Sequence, residues 1–395
     1  MAYQVAYQRR RFNLRIWGLA LGYFAFYAPY SALVRLTATG KLASTGGAVT
    51  GFELLPSVAV GTVVVMFAGT TLRGWWKYAS RREFFGVSVV WPSRLVFLSG
   101  FGTAIIIGTT TLAFTFSGVS IIFALVLMRG GVLVIAPAID ALFGRRVRWF
   151  SWCALALSFA ATLVALADVN NYRMTLTAGL AITAYLCGYL LRLPCLNKLG
   201  KCEDRSLCYR YLVEEQIVAG VLLVAIPGIF ALIGQGQIMS ELRHGFANFF
   251  ASGVTAPGLL IGALYACLYF FGTLIYLDAR ENTFCIPLNR ASSLLAGVFA
   301  TYVLADLFNL PTPSMAQLGS SALIVGALMF LSPLHHGHRV ANRVRHAFGV
   351  AYRAFVEDFG KPNAAAAPLA QTAAPENMAT GINDPLAEED RFNSK

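Results

Sequence analysis

With 57% of its 395 residues hydrophobic and only 13% charged, the chain has too little polar surface to cover a water-soluble globule of its size. Composition therefore excludes a soluble fold and implies an integral membrane protein. A net charge of +12 would suit a nucleic-acid partner, but the cations sit where membrane orientation requires them, so no such partner is expected.

The first fifteen residues carry Arg9, Arg10, Arg11 and Arg15, a basic segment that predicts a cytosolic N-terminus. No small-residue cleavage site follows the first apolar stretch, so that stretch is expected to stay as a helix. Ten apolar runs of roughly 19 to 25 residues then follow, each long enough to cross the hydrocarbon core as a helix. They lie at 16–34, 52–72, 95–116, 119–143, 149–167, 175–193, 211–234, 257–277, 283–305 and 315–334. The alternating ten-residue pattern of a membrane β-barrel does not occur.

Alternating inside and outside from a cytosolic start, the inner connections hold Arg73, Lys77, Arg81, Arg82, Arg94, Arg145, Arg146, Arg148, Lys198, Lys201, Arg205, Arg210 and Arg280. The outer ones hold only Arg35, Lys41, Arg173 and Arg243. This bias predicts that both termini are cytosolic, in a multi-pass protein of the cell (inner) membrane.

The ten runs form two sets of five. Starts in the second set trail those in the first by 159 to 166 residues, and residue types repeat at nearly the same spacing. Tyr23 and Tyr27 match Tyr185 and Tyr189, Glu53 matches Glu215, and Arg129 in "LMRG" matches Arg290 in "LNRA". Because five is odd, a second copy enters the membrane from the opposite side. The expected fold is all-α, with ten transmembrane helices as two inverted five-helix repeats, residues 16–167 and 175–334.

Arg129 and Arg290 each interrupt an apolar run. Counting 1.5 Å per residue, Arg129 lies about 15 Å from the outer edge and Arg290 about 10 Å from the inner one. Both are thus near the middle of a core about 30 Å thick. An arginine there costs about 2.5 to 3.5 kcal/mol on insertion scales and has to face protein or a wet cavity. Paired at a repeat interface, the two are candidates to hold an anionic substrate group, because a guanidinium fork takes carboxylate or phosphate bidentately. The alternative is that each locks helices through carbonyls or a glutamate.

Gly130, Gly131 and Pro137 beside Arg129, and Pro287 and Asn289 beside Arg290, would either free carbonyls to line a cavity or produce a packing kink. Tyr23 with Tyr27, and Tyr185 with Tyr189, are four apart and share a helix face. They either wall the cavity or pack between helices. Glu53 and Glu215 are candidate gate or coupling carboxylates, although their places near span ends favour solvated interfacial charges, as for Glu214.

After the tenth run, residues 335–360 hold a stretch with Val340, Val344, Phe348, Ala351 and Phe355 opposite Arg339, Arg343, Arg345 and Arg353. It reads as an amphipathic interfacial helix. Residues 361–395, rich in Ala, Pro and polar side chains, are expected to be disordered. The tract His335, His336 and His338, and Cys195, Cys202 and Cys208, lack the spacing of a metal site. Signatures of hydrolases, nucleotide-driven pumps and metalloproteases are missing from the sequence, so neither an enzyme nor an ATP-driven pump is expected, and no metal site.

The stretches "SIIFALVLMRGGVLVIAPAIDALFGRRVRWFSWCALALSFAATLVAL" and "CIPLNRASSLLAGVFATYVLADLFNLPTPSMAQLGSSALIVGALMFL" resemble the fourth-to-fifth and ninth-to-tenth helices of the drug/metabolite transporter superfamily, in its EamA-like branch. The resemblance covers residues 16–334. It departs where "FGRR" and "LADLF" stand in place of the Gly-Glu that often ends those helices. It implies a secondary transporter working by alternating access, without a cofactor, whose partners are a small-molecule substrate and the lipid bilayer. Joined to the arginines, it predicts movement of a small organic or amphipathic solute with an anionic group, by efflux or exchange. A nucleotide-sugar or sugar-phosphate antiporter is the alternative transporter. An alternative of another class is a membrane-embedded lipid-modifying enzyme, which would need Glu215 or His244 to be catalytic.

Overall fold

The structure, a computed structural model, describes residues 2–84, 87–116, 119–142, 176–200, 205–277 and 282–331, with single positions between 153 and 164. All of them belong to one unit, Met1–Pro333. Most of the fifth predicted span, the predicted interfacial helix at 335–360 with its histidine tract, and the 361–395 tail lie outside the described residues.

Ten α-helices are present among the described residues: α1 (Ala2–Ala38), α2 (Gly51–Leu72), α3 (Arg94–Thr115), α4 (Ile121–Leu142), α5 (Leu176–Cys195), α6 (Arg205–Ile233), α7 (Gly236–Ala247), α8 (Thr255–Tyr276), α9 (Asn282–Phe308) and α10 (Met315–Leu331). Six stretches, in α2, α3, α5, α6, α8 and α9, are long and apolar enough to cross a membrane. Their outer faces carry large apolar groups, such as Leu176, Leu180, Val221, Ile229, Leu295 and Phe299, which suit lipid and would be costly in water. The chain has the architecture of an all-α, multi-pass membrane protein.

Local chemistry sets several boundaries. Thr50 caps α2, its side chain accepting from Glu53 N at 3.3 Å, and Ser93 caps α3 through Val96 N at 3.4 Å. Pro257 lies in the first turn of α8, where its missing N–H would be unpaired anyway.

Two features were not expected from hydropathy. An antiparallel hairpin, β1 (Arg81–Phe84) and β2 (Val87–Val90), pairs Arg81 with Val90 and Phe84 with Val87. Helix α7 occupies a stretch expected to be a loop and packs on α2 and α6, with Leu242 buried beside Leu55 and Ala231. Both elements are too short to span a membrane, the criterion by which runs were sought.

The packing pattern occurs twice. Helix α1 lies against α8 and α9, and α5 lies against α3 and α4; α2 packs on α8, and α6 packs on α3. The arginine helices α4 and α9 also touch. Each pattern has a glycine contact at backbone distance. A Cβ added at Gly262 would lie 2.3 Å from Val58 O on α2, and one at Gly188 would lie 2.8 Å from Gly102 O on α3. Only a residue without a side chain allows that approach.

Candidate functional site

Arg129 on α4 and Arg290 on α9 are buried, at 2% and 0% exposure. Rather than facing one another across open space, they meet on one hydroxyl. Arg129 Nη1 donates to Tyr185 Oη at 2.6 Å, and Arg290 Nη1 donates to the same oxygen at 3.2 Å. Arg129 Nη2 donates to Tyr27 at 3.0 Å and Arg290 Nη1 also to Tyr189 at 3.3 Å. Rings shield the charges. Arg290 Cζ lies 4.4 Å from the centre of the Tyr189 ring, and Arg129 Cζ lies 5.5 Å from that of Tyr27.

Tyr23 completes the wall, its ring centre 5.5 Å from that of Tyr27. A Cβ at Gly272 of α8 would meet both Tyr23 and Asn289, so this glycine lets α8 close on the cluster. Asn289 Oδ1 accepts from Tyr276 at 2.8 Å. All seven sequence-predicted binding residues, Arg129, Arg290, Asn289, Tyr23, Tyr27, Tyr185 and Tyr189, thus fall in one buried group. Tyr276 joins them without having been predicted. Its signal was the series Tyr265, Tyr269, Thr273 and Tyr276, which marks one face of α8 at helical spacing.

Among the described residues, four donors in this group have no hydrogen-bond partner: Arg129 Nε, Arg290 Nε, Arg290 Nη2 and Asn289 Nδ2. Among the described residues neither arginine is paired with a carboxylate. Sharing one acceptor brings the two guanidiniums close, where like charges repel, and burial adds to that cost. The cluster therefore presents donors and uncompensated positive charge, the complement of an oxyanion.

The helices beside the arginines are not broken. α4 continues through Gly130, Gly131 and Pro137, and α9 through Pro287. At Gly131 a Cβ would lie 2.7 Å from Leu186 Cδ2, so here the small residue serves packing of α4 against α5.

A second polar group surrounds Glu215 on α6. Its carboxylate accepts from Arg192 Nε and Nη2, each at 2.9 Å, from Ser99 at 2.7 Å, Thr103 at 3.0 Å, and Tyr211 and Tyr269 at 2.9 Å. Arg192 Nη2 also donates to Thr273 at 3.1 Å. The pair ties α5 and α6 to α3 and α8. The expectation of solvated, interfacial carboxylates is corrected for Glu215 and Glu214, which are 0% and 1% exposed. Helix α6 starts at Arg205, not near 211 as predicted, so Glu215 lies nearly three turns inside it. Glu214 accepts from Arg210 Nε at 2.9 Å and from Ser80 N at 3.0 Å, fastening the segment before the hairpin. Sequence reasoning missed Arg192, although it stands inside the predicted sixth span.

Glu53 matches the expectation better. It stays a quarter exposed in the first turn of α2 and pairs with His244 of α7 at 3.0 Å. The two line a shallow cleft with Ser57, Asn248, Ser252 and Thr255.

No family model matches this sequence, and no curated protein matches it. A solved structure described only as "Crystal structure of protein" is similar at 15% identity, covering 80% of this chain and 98% of its own, with a TM-score of 0.41. Likeness at that level does not identify the fold.

Proposed function

We propose that the chain is a secondary transporter that moves a small organic or amphipathic solute with an anionic group across the cell membrane by alternating access. In this reading ten helices form two inverted five-helix repeats with cytosolic ends, as in the EamA-like drug/metabolite transporters that the sequence resembles. The duplicated packing supports the inverted repeat: α1 meets α8 and α9 as α5 meets α3 and α4. Arg129, Arg290, Asn289, Tyr23, Tyr27, Tyr185 and Tyr189 hold the substrate, while Glu53 and Glu215 are the gate or coupling carboxylates.

The observation that carries this reading is the pair of buried guanidiniums on touching helices, sharing Tyr185 and keeping unpartnered donors. A purely structural arginine is expected to look like Arg192, both of whose bonding nitrogens are spent on a carboxylate. The lipid-modifying alternative finds little support. Six donor contacts saturate Glu215, and His244 is exposed and occupied with Glu53.

The test is exchange in proteoliposomes loaded with radiolabelled benzoate, phenyl phosphate or malonate. Protein-dependent counterflow of at least one chemically unchanged anion is expected, and Arg129→Ala and Arg290→Ala should abolish it while remaining monodisperse in detergent. Counterflow retained in both variants would remove the substrate role of the arginines. A chemically altered product would favour the enzyme.

A further inference from the structure

The two arginines are held differently, and the difference bears on what they bind. Arg129 spends both terminal nitrogens, Nη1 on Tyr185 and Nη2 on Tyr27, which leaves only Nε without a partner. Arg290 spends Nη1 alone, so Nε and Nη2, the two nitrogens of one edge of its planar fork, are both unpartnered although the residue is fully buried. That edge matches a carboxylate or phosphate with two parallel bonds. The protein contains a filled version of the same geometry, for Arg192 grips Glu215 through Nε and Nη2 at 2.9 Å each.

Every other unpartnered atom at the cluster is also a donor. Asn289 Nδ2 is one, its Oδ1 being taken by Tyr276, and Arg129 Nε is another. Tyr27 and Tyr185 accept from the arginines, so each retains its own O–H to donate. A partner for this set has to be acceptor-rich and fully deprotonated. It also has to be compact, because the two Nη1 atoms are bonded to a single oxygen at 2.6 and 3.2 Å. Two buried cations, paired with no carboxylate among the described residues, would be balanced by two negative charges on a ligand.

We propose that the cluster takes a compact dianionic oxyanion head, a phosphate monoester or closely spaced paired carboxylates, seated bidentately on Nε and Nη2 of Arg290, with Arg129 supplying the second charge. This inference rests on the transporter reading and specifies its substrate class. It also separates the roles of the arginines. Lysine can stand in for a charge but not for a fork, so Arg129→Lys keeps most of the preference for dianions and Arg290→Lys loses it.

The test is a set of small oxyanions differing in charge, the two phosphates matched in skeleton, bound to the purified full-length protein in detergent at pH 8 and followed by intrinsic tryptophan fluorescence. Phenyl phosphate and malonate are the dianions; methyl phenyl phosphate and benzoate are the monoanions. Phenyl phosphate is expected to bind at least tenfold more tightly than methyl phenyl phosphate. Arg290→Lys should reduce that ratio to below about threefold, with Arg129→Lys closer to the native protein. Tighter binding of malonate than of phenyl phosphate would support the proposal and assign the head to paired carboxylates. Monoanions binding as tightly as dianions would overturn the dianion proposal while leaving an anion transporter standing. Failure of all four to bind, with no counterflow of any of them, would overturn both.

Discussion

Glu215→Gln offers a sharp test of how the polar interior is held together. The substitution keeps the size of the side chain but removes the charge that balances Arg192, which is 4% exposed. It also replaces an acceptor-only group by one with a single oxygen and an NH2. Six donor contacts converge on the native carboxylate, so the amide hydrogens meet donors where acceptors are needed. Breaking a buried ion pair by removing one partner costs about 3–5 kcal/mol, and a hydroxyl left without its acceptor costs about 1–3 kcal/mol more unless it turns to another. A loss of about 4 kcal/mol is therefore expected, measured as the shift in unfolding free energy in a reversible SDS titration of mixed micelles. Arg192→Met should lose a similar amount. The double variant should be less damaged than the two losses added, by about 2–3 kcal/mol, because no lone charge remains buried. A Glu215→Gln protein within about 1 kcal/mol of the native one, or strict additivity in the cycle, would refute the account of a carboxylate that organises four helices.

Two further outcomes follow from the same geometry. Tyr185→Phe removes the acceptor shared by Arg129 and Arg290; charge-assisted bonds contribute about 1.5–3 kcal/mol each, so the SDS titration should register a loss of at least about 2 kcal/mol, and a silent variant would mean the guanidiniums do not depend on that hydroxyl. Gly262→Ala places a methyl 2.3 Å from Val58 O and 2.6 Å from Thr62 N, which requires α2 and α8 to separate; about 1–3 kcal/mol should be lost in the same titration, against almost nothing for Gly47→Ser, where no atom lies within 4 Å and a small polar residue replaces an exposed loop glycine.

What the sequence made legible was whatever stood out against an apolar background. Arg129 and Arg290 were conspicuous because a cation inside a span-length run requires a partner, and the tyrosine pairs were conspicuous because four-residue spacing puts both rings on one helix face. The same logic applied to Arg192, but its place near a span end and the assumed start of the next helix hid it. Its partner Glu215 was read as interfacial for want of the turns that α6 adds from Arg205. Helix α7 and the hairpin at Arg81–Val90 escaped for a different reason. Hydropathy over span-length windows detects what crosses lipid, whereas these elements are recognised by what they cover: Leu242 against Leu55 and Ala231, and Glu214 reaching Ser80. The sharing of Tyr185 by both arginines was beyond sequence because it depends on how α4, α5 and α9 converge.

The proposed repeat makes the differences between halves as informative as the likenesses. An offset of 162 residues carries Tyr23 to Tyr185, Tyr27 to Tyr189 and Thr111 to Thr273. One turn further along the same helices it carries Tyr30 to Arg192. Both of these bond the matching threonine, Tyr30 to Thr111 at 3.1 Å and Arg192 Nη2 to Thr273 at 3.1 Å. The position is therefore the same device in two chemistries. On the α1 side it is neutral and aromatic, with Tyr30 packed edge-on to Tyr265 and Phe114. On the α5 side it is ionic and saturated by Glu215. Aromatic contacts separate at the cost of surface, about 0.5–1.5 kcal/mol per ring pair beyond area, whereas parting Arg192 from Glu215 strands two charges in a medium that solvates neither. A transporter that rocks about its central arginines would thus open more readily past Tyr30 than past Arg192.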